Sequence, residues 1–428
     1  MENNNAFVCV LKNINKIEGK DRIVKADITL NSVCISEAVV GVDSKDGDLV
    51  VFFDSNMCLK PSILDLNPEM GKYLLKGGRV KAQKFSGILS TGLCIPIDKF
   101  YSFFKSKKEA TSTLGEGYSF NFIDGVEICS KYTPPAPKHT PQANKKKPKK
   151  DKTVKIVEGG FPLHKDTEQL LRNMYKINPS DSIEVSRKVH GTSARIARTL
   201  VHKKLSFIDK VAKYLGVNVK DTEFVYAYGS RTVTKQVEIS DFNKNLKHFY
   251  GSDIWTDAGN RFFKGKLKEG EHIFYEVCGY MPRGGAIQKM GKAVYSYGCS
   301  TNDYRVYVYR IAYMTQNGKL MELSVPEYRL RCEELGVEAV TQYYNGIAKD
   351  KYPEIKIDDD WHKNFVVKLK EDYLDKPATD CVGGAWDEGV VVRKSYGAIE
   401  AFKLKSPKFI LGESAAVEKD EITDTEEQ

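Results

Sequence analysis

A proline- and lysine-rich segment divides the chain and restricts it to folding as two units. Residues 133–153, TPPAPKHTPQANKKKPKKDKT, hold five prolines and almost no side chain that a core could bury. Proline lacks a backbone donor and neighbouring lysines repel, so such a stretch stays extended and solvated. We therefore predict a linker over 133–155. Its KKKPKK run is typical of a solvated spacer, a nuclear import signal or an RNA-contacting arm.

Composition narrows the class of protein. The 428 residues are 41% hydrophobic and 29% charged, as in ordinary globular proteins, which excludes collagen, coiled coil and wholesale disorder. No apolar run approaches the roughly 18 residues of a membrane-spanning helix, and residues 1–5 lack the layout of a signal peptide. Nine cysteines without a C-x-x-C pair indicate reduced thiols. We expect a cytoplasmic protein with no membrane partner, with nuclear entry through KKKPKK as the alternative.

The net charge of +9 is unevenly distributed. Residues 138–155 carry eight lysines and one aspartate, whereas the segment from Glu413 onward carries seven acids and one lysine. Residues 413–428 are therefore predicted to form an acidic, disordered tail. The block 156–412 is basic in its own right, which indicates a polyanionic partner or substrate without naming it.

The unit before the linker, residues 1–132, has the pattern of short strands. Runs at 7–11, 33–35 and 49–53 are rich in β-formers, and turn residues separate them at intervals typical of a small barrel or sandwich. The segment 77–96 combines Arg79, Lys81 and Lys84 with Phe85. A basic strand face of this kind is typical of a surface that tracks an RNA backbone, and an ordinary solvated face is the alternative.

The unit after the linker mixes strands and helices. A capped helix is predicted to follow Asp166, and a second helix is predicted over about 326–335. Strands are predicted at 183–196, 224–231, 272–278, 304–313, 389–393 and 400–404. Residues 201–220 form a basic amphipathic segment, which favours either an RNA contact or a lid.

Charged side chains inside or beside apolar strands are the candidates for chemistry. Lys188 precedes a small polar turn in the run RKVHGTS, although K-x-x-G alone is a weak signal whose ordinary alternative is a surface β-turn. Charged groups within apolar strands are costly unless they are paired, so they are functional candidates. In addition to Lys188 these candidates are Arg231, Glu276, Glu388, Lys403 and Lys405.

In this order, the motifs resemble those of the covalent nucleotidyltransferase superfamily, which comprises RNA ligases, DNA ligases and mRNA capping enzymes. The resemblance implies that the amine of Lys188 attacks the α-phosphorus of a nucleoside triphosphate. A free lysine has a pKa near 10.4, so only about one part in 10³ is neutral at pH 7. Lowering the pKa of Lys188 to about 7–8 would require roughly 3–5 kcal/mol. The cations of Lys403 and Lys405 are expected to supply part of this free energy and also to hold the phosphate.

The same resemblance implies roles for the remaining candidates. Glu276 and Glu388 would hold the waters of Mg²⁺ or Mn²⁺ and the ribose hydroxyls. Arg231 would bind the phosphate of an RNA end. The strand at 307–309 places Tyr307 and Tyr309 on one face, and Tyr309 is favoured to stack on the purine, with core packing as the alternative for either ring.

Two further features indicate which branch of the superfamily is closest. Only 23 residues follow Lys405, too few for the barrel that DNA ligases and capping enzymes carry there, whereas a barrel is predicted at the N-terminus. That order is similar to the RNA ligase group with an N-terminal OB domain, called RNA ligase 5, as are the segments KIEGKDRIVKADI, GDLVVFFDSN and GILSTGLCIP. His190 and Gly191 instead match the K-x-H-G of the RNA ligase 2 branch. The first group usually has aspartate at the position of His190. Asparagine is common at the position of Ser193, which we expect to contact RNA.

The resemblance therefore implies an α+β fold, with an OB-like β-barrel over 1–132 and an ATP-grasp-like, antiparallel-sheet nucleotidyltransferase domain over 156–412. It implies an ATP-dependent RNA ligase that joins 3′-hydroxyl and 5′-phosphate ends through a lysine–AMP intermediate in RNA repair. The expected partners are ATP, Mg²⁺ or Mn²⁺, and RNA ends, and the protein is expected to be a monomer. The alternatives are an RNA-capping guanylyltransferase that uses GTP on the same lysine, and a non-catalytic RNA-binding protein.

Overall fold

A computed structural model describes residues 6–55, 57–66, 68–132, 155–164, 167–238, 250–315, 317–395 and 400–419. Almost all of the proposed linker, residue Asp166 and the last nine residues lie outside these ranges. The predictions made for the linker and its KKKPKK run therefore stay predictions.

The chain before the linker folds as predicted into short antiparallel strands. Its elements are β1 (Ala6–Lys16), β2 (Ile23–Leu30), β3 (Val33–Gly41), β4 (Leu49–Asp54), β5 (Met57–Leu59), α1 (Pro61–Leu64), β6 (Gln83–Phe85), β7 (Ile88–Ser90), β8 (Gly92–Pro96), α2 (Lys107–Thr113), β9 (Ser119–Phe120), β10 (Phe122–Ile123), β11 (Val126–Glu127) and β12 (Cys129–Lys131), with short 3₁₀ helices at Pro68–Tyr73, Lys76–Gly78 and Ile97–Phe103.

Five of these strands make one curved sheet in the order β3-β2-β1-β4-β8, and β9 also pairs with β1. The two ends of the sheet approach each other. The hydroxyl group of Ser36 in β3 lies 2.9 Å from that of Thr91 in the β7–β8 turn. Phe53 and Phe100 pack in a core on one side of the sheet, while Phe52 packs in a second core on the other side, to which all five strands contribute. This half-barrel is compatible with the predicted OB-like domain.

The chain after the linker contains two larger sheets and most of the helices. Its elements are β13 (Glu168–Gln169), α3 (Leu170–Asn173), β14 (Ser182–Arg187), β15 (Thr192–His202), α4 (Phe207–Tyr214), β16 (Thr222–Ser230), β17 (Thr234–Val237), α5 (Ile254–Phe262), β18 (Glu271–Gly279), β19 (Lys289–Met290), β20 (Ala293–Val294), β21 (Tyr304–Met314), β22 (Leu320–Glu322), α6 (Val325–Leu335), β23 (Glu338–Ala339), β24 (Gln342–Ile347), α7 (Ala348–Lys351), α8 (Trp361–Tyr373), β25 (Gly389–Lys394), β26 (Ala401–Lys405) and α9 (Pro407–Glu418), with a 3₁₀ helix at Met174–Lys176.

The two sheets face each other, and the alternation of side chains along their strands creates the site between them. One sheet has the order β13-β26-β25-β14-β24; the other has the order β17-β16-β15-β18-β21-β22, with β23 beside β21. On β18, Tyr275 enters the core beneath α5 and α6, whereas Phe274 and Glu276 point to the opposite face. On β14, Val185 packs on α8 while Ser186 faces the other sheet.

The predicted mixture of helices and strands is confirmed, with two local corrections. The helix expected after Asp166 is a single turn, Leu170–Asn173. The prediction of a disordered tail from residue 413 is wrong for its first residues, because α9 continues through Glu418 and Glu413 is buried in it. All nine cysteines are free thiols, as predicted. Within the described ranges, no helix has the length and apolar character that crossing a membrane requires.

The N-terminal sheet packs directly against the C-terminal part of the chain. The guanidinium of Arg172 lies 3.1 Å from a carboxylate oxygen of Asp54 and stacks over Phe7 at 3.9 Å. Lys370 donates to the carbonyl of Cys34 at 2.9 Å. These contacts bring the end of strand β26 close to the N-terminal unit, where Lys405 lines a small cavity of about 80 Å³.

Candidate active site

A cavity of about 320 Å³ lies between the two sheets of the C-terminal part. Six of the residues singled out from the sequence line it, namely Lys188, Ser193, Arg231, Glu276, Tyr309 and Lys403. Four more lie beside it in the same cluster of contacts, namely His190, Gly191, Glu388 and Lys405. The sequence candidates of the C-terminal part therefore converge on one place, with Tyr307 as the exception.

Lys188 sits where β14 ends and the chain turns into β15. Its backbone N–H donates to the carbonyl of Gly389 at 2.9 Å, which ties the turn to the start of β25. Its ammonium lies 2.8 Å from Oε1 of Glu388, and the ammonium of Lys405 lies 3.1 Å from the same oxygen. Glu388 is completely buried. One carboxylate oxygen thus joins two cations, and the cation of Lys405 offsets the stabilisation that Glu388 gives to the charged form of Lys188.

Two glycines allow the strands of this cluster to approach closely. A Cβ at Gly389, whose φ is +134°, would lie 2.1 Å from the carbonyl oxygen of Leu404. A Cβ at Gly191 would lie 2.3 Å from the carbonyl oxygen of Val277. The N–H of Gly191 donates to Oε1 of Glu276 at 3.2 Å. Gly191 therefore orients a carboxylate of the cavity, and a larger residue at either glycine would separate the strands.

Lys403 and Lys405 share one face of β26, as predicted, but they lie in different surroundings. Lys403 lines the cavity. Lys405 has only 6% of its side chain exposed and reaches Glu388 on one side and Glu413 of α9, at 3.9 Å, on the other. Sequence analysis missed Glu413, because it assigned this residue to the tail on the basis of charge composition.

His190 is a buried, neutral neighbour of Glu388. Its backbone N–H donates to the hydroxyl of Tyr297 at 2.7 Å, and its ring packs edge-to-face on Tyr295 and Phe409. Burial lowers the pKa of His190, although the nearby Glu388 carboxylate, 3.7 Å from Nδ1, opposes the shift. The imidazole contributes shape and hydrogen-bonding capacity at this position instead of the anion that aspartate would provide.

The opposite wall of the cavity carries Ser193 and Tyr309. Their hydroxyl groups lie 3.0 Å apart, and burial raises the pKa of Tyr309 to about 12. The ring of His164, which sequence analysis missed, packs edge-to-face on Tyr309 at 5.4 Å. Tyr307 instead packs on Tyr297 at 5.8 Å within the core. The core alternative thus applies to Tyr307, whereas Tyr309 lines the cavity.

Arg187, to which the sequence assigned no role, holds the loop that carries Glu388. Its guanidinium donates to Asp380 at 2.6 and 2.8 Å and to Asp387 at 2.9 Å, and it lies over the ring of Tyr297 at 4.9 Å. Burial raises the pKa of Asp387 despite this partner, and the pKa of Arg187 is raised because the bonds to the two carboxylates outweigh the opposing effect of burial. The network fixes the position of the residue immediately before Glu388.

A second group of charges lies in the cavity on the same sheets. Arg310 forms an ion pair with Glu322, and Nη1 of Arg393 lies 4.0 Å from the same carboxylate. Arg310 also stacks over Phe274 at 4.5 Å. Sequence analysis assigned no role to these three charged residues.

The predicted RNA-contacting face of the N-terminal unit is wrong at Arg79. This residue is 0% exposed, donates to the carbonyl of Ser55 at 3.0 Å and stacks on Tyr132 at 4.2 Å, so its cation is used inside the fold. Lys81 is bound to Glu418 of α9 at 2.5 Å. Lys84 is exposed and remains available.

The carboxylates fit a divalent ion that keeps most of its waters. Glu276 faces the cavity and Glu388 lies at its edge. Within the described part of the chain, no group of three or more His, Cys, Asp or Glu side chains is arranged as a metal cage. Mg²⁺ and Mn²⁺ bound with nucleotides use few protein carboxylates together with phosphate oxygens and water, which suits this set.

Comparisons with known proteins identify the fold. No family model matches the chain, and neither does any curated protein. Among solved structures, a variant of Naegleria gruberi RNA ligase with ATP and Mn is 15% identical, with a TM-score of 0.57 over 95% of this chain and 98% of that one. Another variant with AMP and Mn, and the same ligase with PPi, are 15% and 16% identical, each with a TM-score of 0.55 over 95% of this chain and 98% of theirs. The chain therefore has the fold of these RNA ligase structures along almost its whole length.

Proposed function

We propose that this protein is an ATP-dependent RNA ligase that works through a covalent AMP on Lys188. The observation that carries the proposal is the shared carboxylate: Glu388 contacts both Lys188 and Lys405 at the edge of a cavity lined by Lys403 and Glu276. The structural neighbours were solved with ATP, AMP and PPi, which are the nucleotide reactant and the released products of ATP-dependent ligation as a whole. A structural role alone gives no reason for three such lysines to meet beside a cavity.

In the first step, the amine of Lys188 attacks the α-phosphorus of ATP. A new N–P bond forms, the bond from the α-phosphorus to the bridging oxygen breaks, and pyrophosphate leaves. Before attack, the ammonium must lose a proton, and Oε1 of Glu388, 2.8 Å away, is within reach to accept it. Lys403, in the cavity, is placed to neutralise charge that develops on the α-phosphate. Tyr309 is placed to stack on the adenine.

In the later steps, the AMP moves to an RNA 5′-phosphate, and a 3′-hydroxyl then attacks that phosphate and releases AMP. Arg231 opens onto the cavity beside Ser193 and would hold the RNA phosphate in line. A bound Mg²⁺ or Mn²⁺, held through Glu276 and Glu388, would supply further charge neutralisation on phosphate oxygens. The N-terminal half-barrel, including exposed Lys84, would bind the RNA near the break, as expected in the repair of broken RNA.

Label transfer tests the nucleophile directly. The wild-type protein, incubated with α-labelled ATP and Mn²⁺ or Mg²⁺, should acquire a covalent label, and Lys188→Ala should acquire none. Lys84→Ala, which changes an exposed lysine outside the cavity, serves as the matched control and should label normally. Labelling of Lys188→Ala would show that another residue is the nucleophile.

A parallel incubation with labelled GTP, followed by a sealing assay, separates the alternatives. Covalent GMP without AMP would instead indicate a guanylyltransferase. The ligase should also join a nicked duplex with a 5′-phosphate and a 3′-hydroxyl on RNA. RNA binding without label or sealing, with either metal, would identify a non-catalytic RNA-binding protein.

A further inference from the structure

A short helix with an uncovered apolar face projects from the far end of the β15–β16 hairpin. Helix α4, Phe207–Tyr214, lies in the connection between the two strands, and none of its residues is buried. Large apolar side chains in and after it have high exposed fractions, namely Phe207 81%, Ile208 78%, Val211 41%, Tyr214 90%, Leu215 71% and Val217 57%. Folded monomers rarely leave so contiguous an apolar set in water without an interaction to explain it.

The apolar side chains form one preorganised face. At 3.6 residues per turn, positions 207, 208, 211, 214 and 215 fall within an arc of roughly 120°. A capping box fixes the start of the helix, because the Ser206 side chain accepts from the N–H of Asp209 and the Asp209 carboxylate accepts in return. The face is therefore present in the folded protein before any partner binds.

Lysines surround this apolar tip. Lys203 and Lys204 lie on the incoming stem and Lys220 lies on the outgoing stem, and all three are exposed. Lys210, on the helix itself, is also exposed. The two acids of the segment are already engaged: Asp209 in the cap and Asp221 in a 2.6 Å ion pair with Lys213. The tip is thus apolar, and residues 203–221 together carry five lysines and two acids, a net charge of +3.

We propose that the α4 tip is a peripheral docking element for an anionic lipid surface. A lipid interface presents negative headgroups above an apolar boundary, which matches lysines on the stems behind an apolar helix face. The tip is convex, with every helical residue at least partly exposed. A deformable surface such as a lipid interface can therefore surround the tip and contact its apolar side chains. The expectation of no membrane partner rested on the lack of an apolar run of about 18 residues in the sequence, and an interfacial helix needs no such run.

Two other occupants fit the observations less well. Single-stranded RNA binds such surfaces by stacking bases on aromatic rings, but only Phe207 and Tyr214 offer rings here, and the other exposed apolar residues are aliphatic. A second copy of the chain would place its own lysine-bearing stems against these stems, so that like charges meet. Two helices of about this length would also bury less than the roughly 1,000 Å² expected of a stable interface.

The tip is far from the candidate active site. Strand β15 runs from Thr192, beside the cavity, to His202 at the tip. At about 3.3 Å per residue this is a distance of roughly 30 Å. The proposal is therefore independent of the proposed ligase activity, and variants of the tip should leave the cavity intact.

Vesicle flotation of the full-length protein tests the proposal. The wild type should float with phosphatidylcholine vesicles that contain about one third phosphatidylserine, and not with phosphatidylcholine alone. The triple variant Phe207→Ser, Ile208→Ser, Tyr214→Ser should partition at least about tenfold less. Lys203→Glu with Lys204→Glu should weaken only the binding to anionic vesicles. Met321→Ser with Ile357→Ser, which removes similarly exposed apolar groups elsewhere, should bind like the wild type.

Each other outcome overturns the proposal. A wild type that fails to float with anionic vesicles, or a triple variant that floats equally well, excludes lipid docking by this tip. If the triple variant instead loses affinity for single-stranded RNA in a gel-shift assay, the tip is an RNA platform. If sedimentation shows a wild-type dimer that the triple variant converts to a monomer, the tip binds a second copy. Thermal unfolding by circular dichroism shows that each variant is folded.

Discussion

A single buried carboxylate oxygen determines the charge balance around the candidate nucleophile. Oε1 of Glu388 lies between the ammonium groups of Lys188 and Lys405, at 2.8 and 3.1 Å. By itself Glu388 would favour the charged, unreactive form of Lys188. The second cation shares that oxygen and repels the first, so it makes deprotonation easier. Lys405 therefore acts on the charge of Lys188 through the carboxylate that the two lysines share.

Removal of the Lys405 charge should slow label transfer in a pH-dependent way. In Lys405→Met, Glu388 pairs with Lys188 alone, so the ammonium loses its proton less readily. We expect labelling with ATP to be about tenfold slower near neutral pH and to recover as the pH rises, because each unit of pKa corresponds to a factor of ten. Lys405→Arg keeps the charge and should retain the wild-type profile. Equal loss at every pH in Lys405→Met would mean that Lys405 acts only through direct contact.

A buried histidine outside the catalytic cluster should limit stability in acid. Burial, aided by the cations of Arg195 and Arg310, lowers the pKa of His272 to about 4, and its Nε2 has no hydrogen-bond partner within the described ranges. The unfolded chain takes up this proton near pH 6.5 while the folded protein does not, so stability is lost as pH falls from about 6.5 toward 4.

The contribution of His272 can be isolated by substitution. By pH 5 the loss from this one group should reach roughly 2 kcal/mol. Chemical unfolding of the wild type and His272→Gln between pH 7 and 5 should therefore give a steeper fall for the wild type. The comparison concerns the slope and not the absolute stability, since the substitution also disturbs packing. Parallel slopes would contradict the assignment.

At the scale of elements, residue patterns predicted the positions of strands better than they predicted which charged side chains are buried. Alternation and β-branched runs marked β14, β18 and β25 correctly, because period-two patterning reflects which side chains meet a core. The same pattern predicted a basic strand face at Arg79, whereas this residue follows the 3₁₀ helix Lys76–Gly78, precedes β6 and is 0% exposed. The segment from Glu413 was predicted to be disordered from its charge composition alone. The last turns of α9 were therefore missed, and Glu413 in them is buried near Lys405.

The contacts that sequence analysis missed join residues far apart in the chain. Arg187 and its partner Asp380 are separated by 193 positions. No local pattern encodes such a pairing, because it depends on how the two sheets and the loop before β25 pack together. The resemblance of the ordered motifs to the nucleotidyltransferases predicted which residues meet in the cavity, whereas the residues that hold them in place could be found only from the fold.

The Arg187 network should couple the loop before β25 to β14. Arg187→Met leaves the largely buried Asp387 without its cation, and breaking such a pair should cost about 2–4 kcal/mol in unfolding free energy. Asp387→Asn should cost less, and the double variant should be more stable than the sum of the two losses predicts. Urea unfolding measures all three. Additive losses would show that the two side chains do not act as a pair.

At the scale of the whole molecule, two parts with largely separate cores are joined by polar contacts and by Val33, which packs in a core of the C-terminal part. Phe53 and Phe100 belong to a core confined to the N-terminal unit, and Trp255 belongs to one confined to the C-terminal part. Arg172 makes two of the contacts between the parts, with the carboxylate of Asp54 and the ring of Phe7. The ion pair is about four-fifths buried on each side, so breaking it leaves a carboxylate partly desolvated and unpaired.

Loss of Arg172 should therefore uncouple the unfolding of the two parts. All three tryptophans, Trp255, Trp361 and Trp386, lie in the C-terminal part, so their fluorescence reports on that part alone, whereas far-ultraviolet circular dichroism reports on both. In the wild type the two thermal curves should coincide, as expected when the parts unfold together. In Arg172→Ala the dichroism should begin to fall at a lower temperature than the fluorescence, because the N-terminal unit loses its support first.

Lys176→Ala removes an exposed ion pair within the C-terminal part, typically at a cost of about 1 kcal/mol or less, and should keep the curves together. Coincident curves in Arg172→Ala would show that the remaining contacts, including Lys370 with Cys34, suffice to unfold the molecule as one unit.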